Sequence, residues 1–173
     1  MATKAATPLV IFAHGMESGP VGTKINALSD VAVERGWSVE SPDYSHTRDF
    51  DERVAYLLGL QFEPGDPLVL VGSSMGGYVM AHAAEALRPD GLFLMAPALY
   101  YTGFDREPAW QPEHTVVVHG WQDDVVPVER ARRYAEPRGT DLHLIEAGHT
   151  LNERLPLVCS LFADLLDRVS TAG

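Results

Sequence analysis

Leu68-Val69-Leu70-Val71-Gly72-Ser73-Ser74-Met75-Gly76-Gly77, running on into Tyr78-Val79-Met80-Ala81-His82-Ala83-Ala84, decides how the rest of the chain is read. The apolar, β-branched run predicts a buried strand, the Gly/Ser centre a tight turn, and the alanine-rich sequel a closely packed helix. The turn reads as Gly-x-Ser-x-Gly only when centred on Ser74, because Ser73 would need a glycine where Val71 stands. A serine on such a strand-to-helix elbow is held in strained backbone geometry that lifts its hydroxyl above the sheet edge. Gly72 and Gly76 are expected to let strand and helix approach without a Cβ clash. The spacing matches neither Gly-x-Gly-x-x-Gly nor Gly-x-x-x-x-Gly-Lys-Ser/Thr, so the fingerprint of a nucleotide-phosphate site is missing. A serine nucleophile is inert without a base, so a histidine and an acid must come from elsewhere.

Outward from the elbow, apolar runs alternate with helical spacing. Pro8 to Ala13 predicts a strand ending in a glycine-dense loop, His14-Gly15-Met16-Glu17-Ser18-Gly19-Pro20-Val21-Gly22. Ile25, Leu28, Val31 and Ala32 mark a helix from Thr23, stopped by Gly36. Trp37 to Ser41 is a short strand, and Asp51 to Leu60 a helix with Val54, Leu57 and Leu58 inward and Pro64-Gly65 as breaker. After the elbow helix come strands at Gly91–Ala96, Thr115–His119 and Asp141–Glu146, a helix at Val128–Tyr134 opened by Pro127, and a helix at Leu151–Val169. Residues 97–114 are the longest irregular stretch. The alternation implies about six mostly parallel strands covered by helices on both faces, residues 1–173 forming a single domain.

Composition narrows the function. A chain of 173 residues suffices for one core, and 46% hydrophobic with 21% charged residues is ordinary for a globular protein. No apolar run approaches the ~18 residues of a membrane span, and Met1 to Pro8 lacks the apolar core of a signal peptide, so a cytoplasmic location is expected. A net charge of −11 argues against nucleic acid or an anionic membrane as partner. The single cysteine, Cys159, reads as a packed thiol, and the scattered histidines suggest no metal site.

Ligands of parallel sheets bind beyond the carboxyl ends of the strands, and chemically useful residues stand there. Ser74 follows the third strand, His119-Gly120-Trp121-Gln122-Asp123-Asp124 the fifth, and Gly148-His149 the sixth. Serine, acid and histidine thus come in the chain order of a Ser-Asp-His triad. Asp124 competes with Asp123 for the acid role, and an ordinary helix-start residue is the lesser reading of His149, since no other histidine follows the last strand. His14 and His119 end strands near the presumed cleft and suit loop-bonding roles. His46, His82, His114 and His143 read as surface or packing residues. Tyr100, Tyr101 and Trp121, with His14, are candidates to line a substrate pocket.

On Val71-Gly72-Ser73-Ser74-Met75-Gly76-Gly77, His119-Gly120-x-x-Asp123-x-x-Val126-Pro127 and Gly148-His149, the chain resembles the α/β-hydrolase superfamily over nearly its whole length. The His14-Gly15 loop followed by Gly22-Thr23-Lys24 is similar to small esterases and acyl-protein thioesterases. The resemblance implies a minimal α/β-hydrolase fold and a cofactor-free serine hydrolase acting through an acyl-enzyme. Ser74 would be nucleophile, His149 base and Asp123 its orienting acid, with the oxyanion met by backbone N–H groups of Met16 and Met75. Larger relatives carry two further N-terminal strands and a lid after the fourth strand described here. This sequence offers only residues 97–114 there, so an open cleft without a separate cap domain is expected, suited to short or exposed acyl groups. The expected substrate is a small ester or thioester, an acylated protein included. Acyl thioester cleavage and non-catalytic binding on a hydrolase scaffold are the alternatives. Dehalogenase chemistry is disfavoured, since it needs Asp where Ser74 stands.

Overall fold

The computed structural model describes residues 7–63 and 65–172. The N-terminal leader reading up to Ala6 and the Pro64 breaker lie outside them. The strands are β1 (Leu9–Ala13), β2 (Ser38–Glu40), β3 (Leu68–Ser73), β4 (Gly91–Met95), β5 (His114–Gly120) and β6 (Asp141–Ile145). Between and after them run α1 (Thr23–Glu34), α2 (Phe50–Gly59), α3 (Met75–Leu87), α4 (Val128–Ala135) and α5 (Leu155–Thr171). The sheet order is β2-β1-β3-β4-β5-β6, every pairing parallel.

The continuous apolar runs are explained by burial on both faces. Leu9, Ile11, Ala13, Leu70 and Leu94 point to one side, where α2, α3 and α4 contribute Val54, Leu57, Tyr78 and Tyr134. Val10, Phe12, Val71, Phe93 and Val118 point to the other, against Leu28 of α1 and Phe162, Leu165 and Leu166 of α5. Phe162 packs with its ring centroid 5.3 Å from Phe93 and 6.4 Å from Phe12. The period-2 alternation of each strand thus builds two cores from one sheet.

Two helix starts and one buried stripe depart from expectation. Helix α2 starts at Phe50 because Asp49 caps it, its carboxylate accepting from the Glu52 N–H at 2.9 Å. Leu58, expected inward, is 42% exposed, whereas Arg53 occupies the buried stripe beside Val54 and Leu57. Helix α5 starts at Leu155 rather than Leu151: Leu151 is left-handed (φ 60°), Asn152–Arg154 form a 3₁₀ turn, and Pro156 suits only a helix's first turn.

After β1 the chain steps outward to β2, then returns to place β3 on the other flank of β1. The loops leaving β1 and β3 therefore diverge, which opens a crevice at their carboxyl ends. Between β4 and β5 no cap domain is inserted. The loop there is tied down: Glu107 accepts from Arg133 (3.0 Å), Arg138 (3.2 Å) and Tyr100 (2.8 Å), and Arg106 reaches Asp51 at 2.8 Å.

Candidate active site

Ser74 stands between β3 and α3 with φ 55° and ψ −118°, a conformation that costs a non-glycine residue about 1–3 kcal/mol. Neighbouring bonds hold it there. Its N–H donates to Met95 O at 2.9 Å, and its carbonyl accepts from Gly77 N and Ala98 N, each at 2.9 Å. The flanking glycines are sterically required: a Cβ on Gly72 would lie 2.2 Å from Gly76 O, and one on Gly76 only 1.9 Å from Ala13 O. The elbow is therefore wedged against β1 as well as within itself.

The loop after β6 is delivered in the same way. A Cβ on Gly120 would lie 2.1 Å from Ala147 O, so the ends of β5 and β6 approach with only hydrogens between them. Trp121 N donates to Ile145 O at 2.9 Å and Gln122 N to Ala147 O at 3.1 Å. This places the His149 ring with Nε2 at 2.9 Å from Ser74 Oγ and Nδ1 at 2.8 Å from Asp123 Oδ2. A carboxylate only accepts, so Nδ1 carries the proton and Nε2 presents its lone pair to the serine hydroxyl.

The Asp123 side chain is fully buried. Its Oδ1 accepts from Val125 N at 2.9 Å and Val126 N at 2.8 Å, while Oδ2 faces His149 and, at 3.2 Å, His119 Nε2. Asp124, the competing acid, is exposed. His119 is fully buried and its Nε2 also lies 2.8 Å from Val126 O, so that nitrogen is the donor. Burial lowers the His119 pKa and keeps the ring neutral.

Met16 and Met75 line the cleft together with Ser74, and neither backbone N–H finds an acceptor among the described residues. The Met16 loop is braced from below. Arg53 is buried to 1% exposure, and its guanidinium donates to His14 O (3.1 Å), Gly15 O (3.3 Å) and Thr47 O (3.0 Å). Among the described residues no carboxylate pairs with it; its Nε and Nη1 donate to these three carbonyls instead. Sequence reading missed Arg53, whose only signal was an arginine on the apolar stripe of α2.

The cleft measures about 550 Å³, within the range of small-molecule sites. Met16, Ile25, Phe50, Tyr101 and Val125 form apolar walls, and Lys24 and Asn152 add polar groups. Of the residues expected to line it, Tyr101 does, stacked on Phe50 at 5.4 Å. His14 also borders it, but both ring nitrogens are engaged: Nε2 accepts from Tyr44 N at 2.9 Å, and Nδ1 donates to Gly15 O at 2.7 Å. Tyr100 is a correction, since its hydroxyl turns away to Glu107 and its ring lies under Arg133 at 3.8 Å. Trp121 is another, standing 58% exposed outside the cleft because the Gly120 approach commits its backbone to β6. Phe50 and Lys24 line the cleft without having been singled out as substrate-contacting residues.

No protein-family profile matches the chain, and no curated protein matches it in sequence. Solved structures do match. A hydrolase of the α/β superfamily from Xanthomonas campestris pv. campestris superposes with a TM-score of 0.79 at 29% identity, covering 94% of this chain and 99% of that one. Mouse α/β hydrolase domain-containing protein 10 gives 0.78 at 20% identity over 96% and 92% of the two chains. An α/β serine hydrolase without a lid, also from Xanthomonas campestris, gives 0.63 at 19% identity over 97% and 85%.

Proposed function

Starting from the α/β-hydrolase fold of this chain, we propose that it is a serine hydrolase that cleaves carboxylic esters through a covalent acyl-enzyme. The observation that carries this reading is the unbroken hydrogen-bonded series Ser74–His149–Asp123, set beside two backbone N–H groups without acceptors. Ser74 Oγ attacks the acyl carbonyl while His149 Nε2 takes its proton; the imidazolium is stabilised by buried Asp123 and returns the proton to the leaving alkoxide. Met16 and Met75 N–H stabilise the oxyanion of the tetrahedral intermediate, a contribution worth about 10²–10³ in kcat per donor in such sites. Water then enters by the same base-assisted route, releases the acid and restores Ser74.

The tied loop between β4 and β5 leaves the cleft uncapped, which suits short or exposed acyl groups better than long chains that need a tunnel. The test is turnover of p-nitrophenyl acetate. Ser74→Ala should fall to the buffer rate, and activity that persists in that variant overturns the assignment.

A further inference from the structure

Lys24 lies in the first turn of α1 and lines the cleft that holds Ser74 and His149. Most cations of this chain are answered. Every arginine except Arg154 faces a carboxylate, a carbonyl or an aromatic ring. Lys24 has neither a carboxylate within 4.0 Å nor a hydrogen-bond acceptor among the described residues. Two acids act on it from a distance, Asp123 and Glu153, while Glu17, the acid that lines the cleft, is exposed and paired with Arg48 at 3.4 Å. Asp123 has no lone pair to spare, its oxygens being taken by Val125 N, Val126 N, His149 and His119.

An ammonium withdrawn from water without a partner is costly, and here the cost is visible: burial pushes the Lys24 pKa down to about 8. A group held so beside a nucleophile gains most from an anion brought in by a ligand, because the partly desolvated site strengthens the pairing.

Building on the serine-hydrolase reading, we propose that Lys24 forms an anion subsite and that the preferred substrates are esters carrying a negatively charged group such as a carboxylate. The ammonium pairs with that group while the ester carbonyl sits at Ser74. The charge enters on the acyl side or on the alcohol side of the ester, and two matched pairs separate these. For the acyl side, 4-nitrophenyl hydrogen glutarate is compared with 4-nitrophenyl valerate; for the alcohol side, 4-carboxyphenyl butyrate with 4-carbamoylphenyl butyrate.

The quantity read is the ratio of kcat/KM, charged over neutral, in wild type and Lys24→Met, so that any general effect of the substitution cancels. At least one ratio should fall about tenfold or more on losing the ammonium. Both ratios unchanged within twofold would overturn the subsite. Binding of uncleaved 4-nitrophenyl hydrogen glutarate and 4-carboxyphenyl butyrate to Ser74→Ala, by calorimetry, separates the two ideas. Absence of turnover on all four esters defeats the hydrolase reading alone. Affinity for at least one charged ester that drops about tenfold in Ser74→Ala/Lys24→Met still supports the subsite, and affinity for both left unchanged removes it.

Discussion

His119 Nε2 lies 3.2 Å from Asp123 Oδ2, the same oxygen that accepts from His149 at 2.8 Å. The buried carboxylate therefore serves two imidazoles, one facing Ser74 and one facing the interior. His119 shares its N–H between Asp123 and Val126 O, which fixes the turn of the carboxylate that orients His149.

Replacing His119 by Phe removes that donor and frees the carboxylate to turn away from His149. On a short ester kcat should fall about tenfold with KM little changed. His119→Gln presents an N–H near the same place and should restore most of the loss. Equal loss of kcat in the two variants would reduce His119 to packing.

Gly76→Ala puts a Cβ 1.9 Å from the Ala13 carbonyl, where two backbone segments must part. A loss of about 3 kcal/mol or more is expected in urea denaturation, at the upper end for overpacking. Gly59, at the end of α2 with open space around its Cα, is the contrast: Gly59→Ala should gain about 0.5–1 kcal/mol.

Arg53→Lys keeps the charge but cannot reach three carbonyls with one planar fork. The loop carrying Met16 should loosen, with a loss of about 2 kcal/mol of stability and a fall in kcat larger than any change in KM. A variant equally stable and equally fast would show that the brace is idle.

His82, its ring tilted against Tyr78 with centroids 4.1 Å apart, has its pKa lowered to about 4, first by burial and then by Arg106, against the opposing pull of Asp51 and Glu107. The unfolded chain takes up a proton near pH 6.5 that the folded chain refuses until about 4. Stability should therefore fall as pH drops through this window. His82→Phe should make the fall shallower in denaturation midpoints at pH 7, 5.5 and 4. A remnant slope is expected from His119, which is shifted in the same direction.

The strands and helices were legible because each apolar run kept one period over its length, and because burial on both faces turns parallel strands into unbroken Leu/Val/Ile blocks. The elbow and its three chain-ordered residues were legible for a related reason: glycines at 72, 76 and 120 have no substitute where backbones touch. What stayed hidden were roles assigned only by three-dimensional neighbours. Arg53 stands on the apolar stripe of α2, but its charge gives no hint that the carbonyls of His14 and Gly15 lie over it. Tyr100 and Tyr101 are adjacent in sequence, yet Tyr100 turns to Glu107 and Tyr101 to the cleft, because Tyr100 takes a left-handed φ of 54°. Between Asp123 and Asp124 the family resemblance alone chose Asp123, and what it could not show is how the carboxylate is held, by the backbone N–H groups of Val125 and Val126.

The central claim is that the Ser74 oxygen becomes covalently bonded to an electrophilic substrate with His149 as its base. Intact-mass and peptide mapping after exposure to a fluorophosphonate tests it most directly. One adduct on Ser74 is predicted, absent in Ser74→Ala and strongly slowed in His149→Ala. An unmodified Ser74 in folded protein, or the same adduct mass persisting in Ser74→Ala, would contradict it.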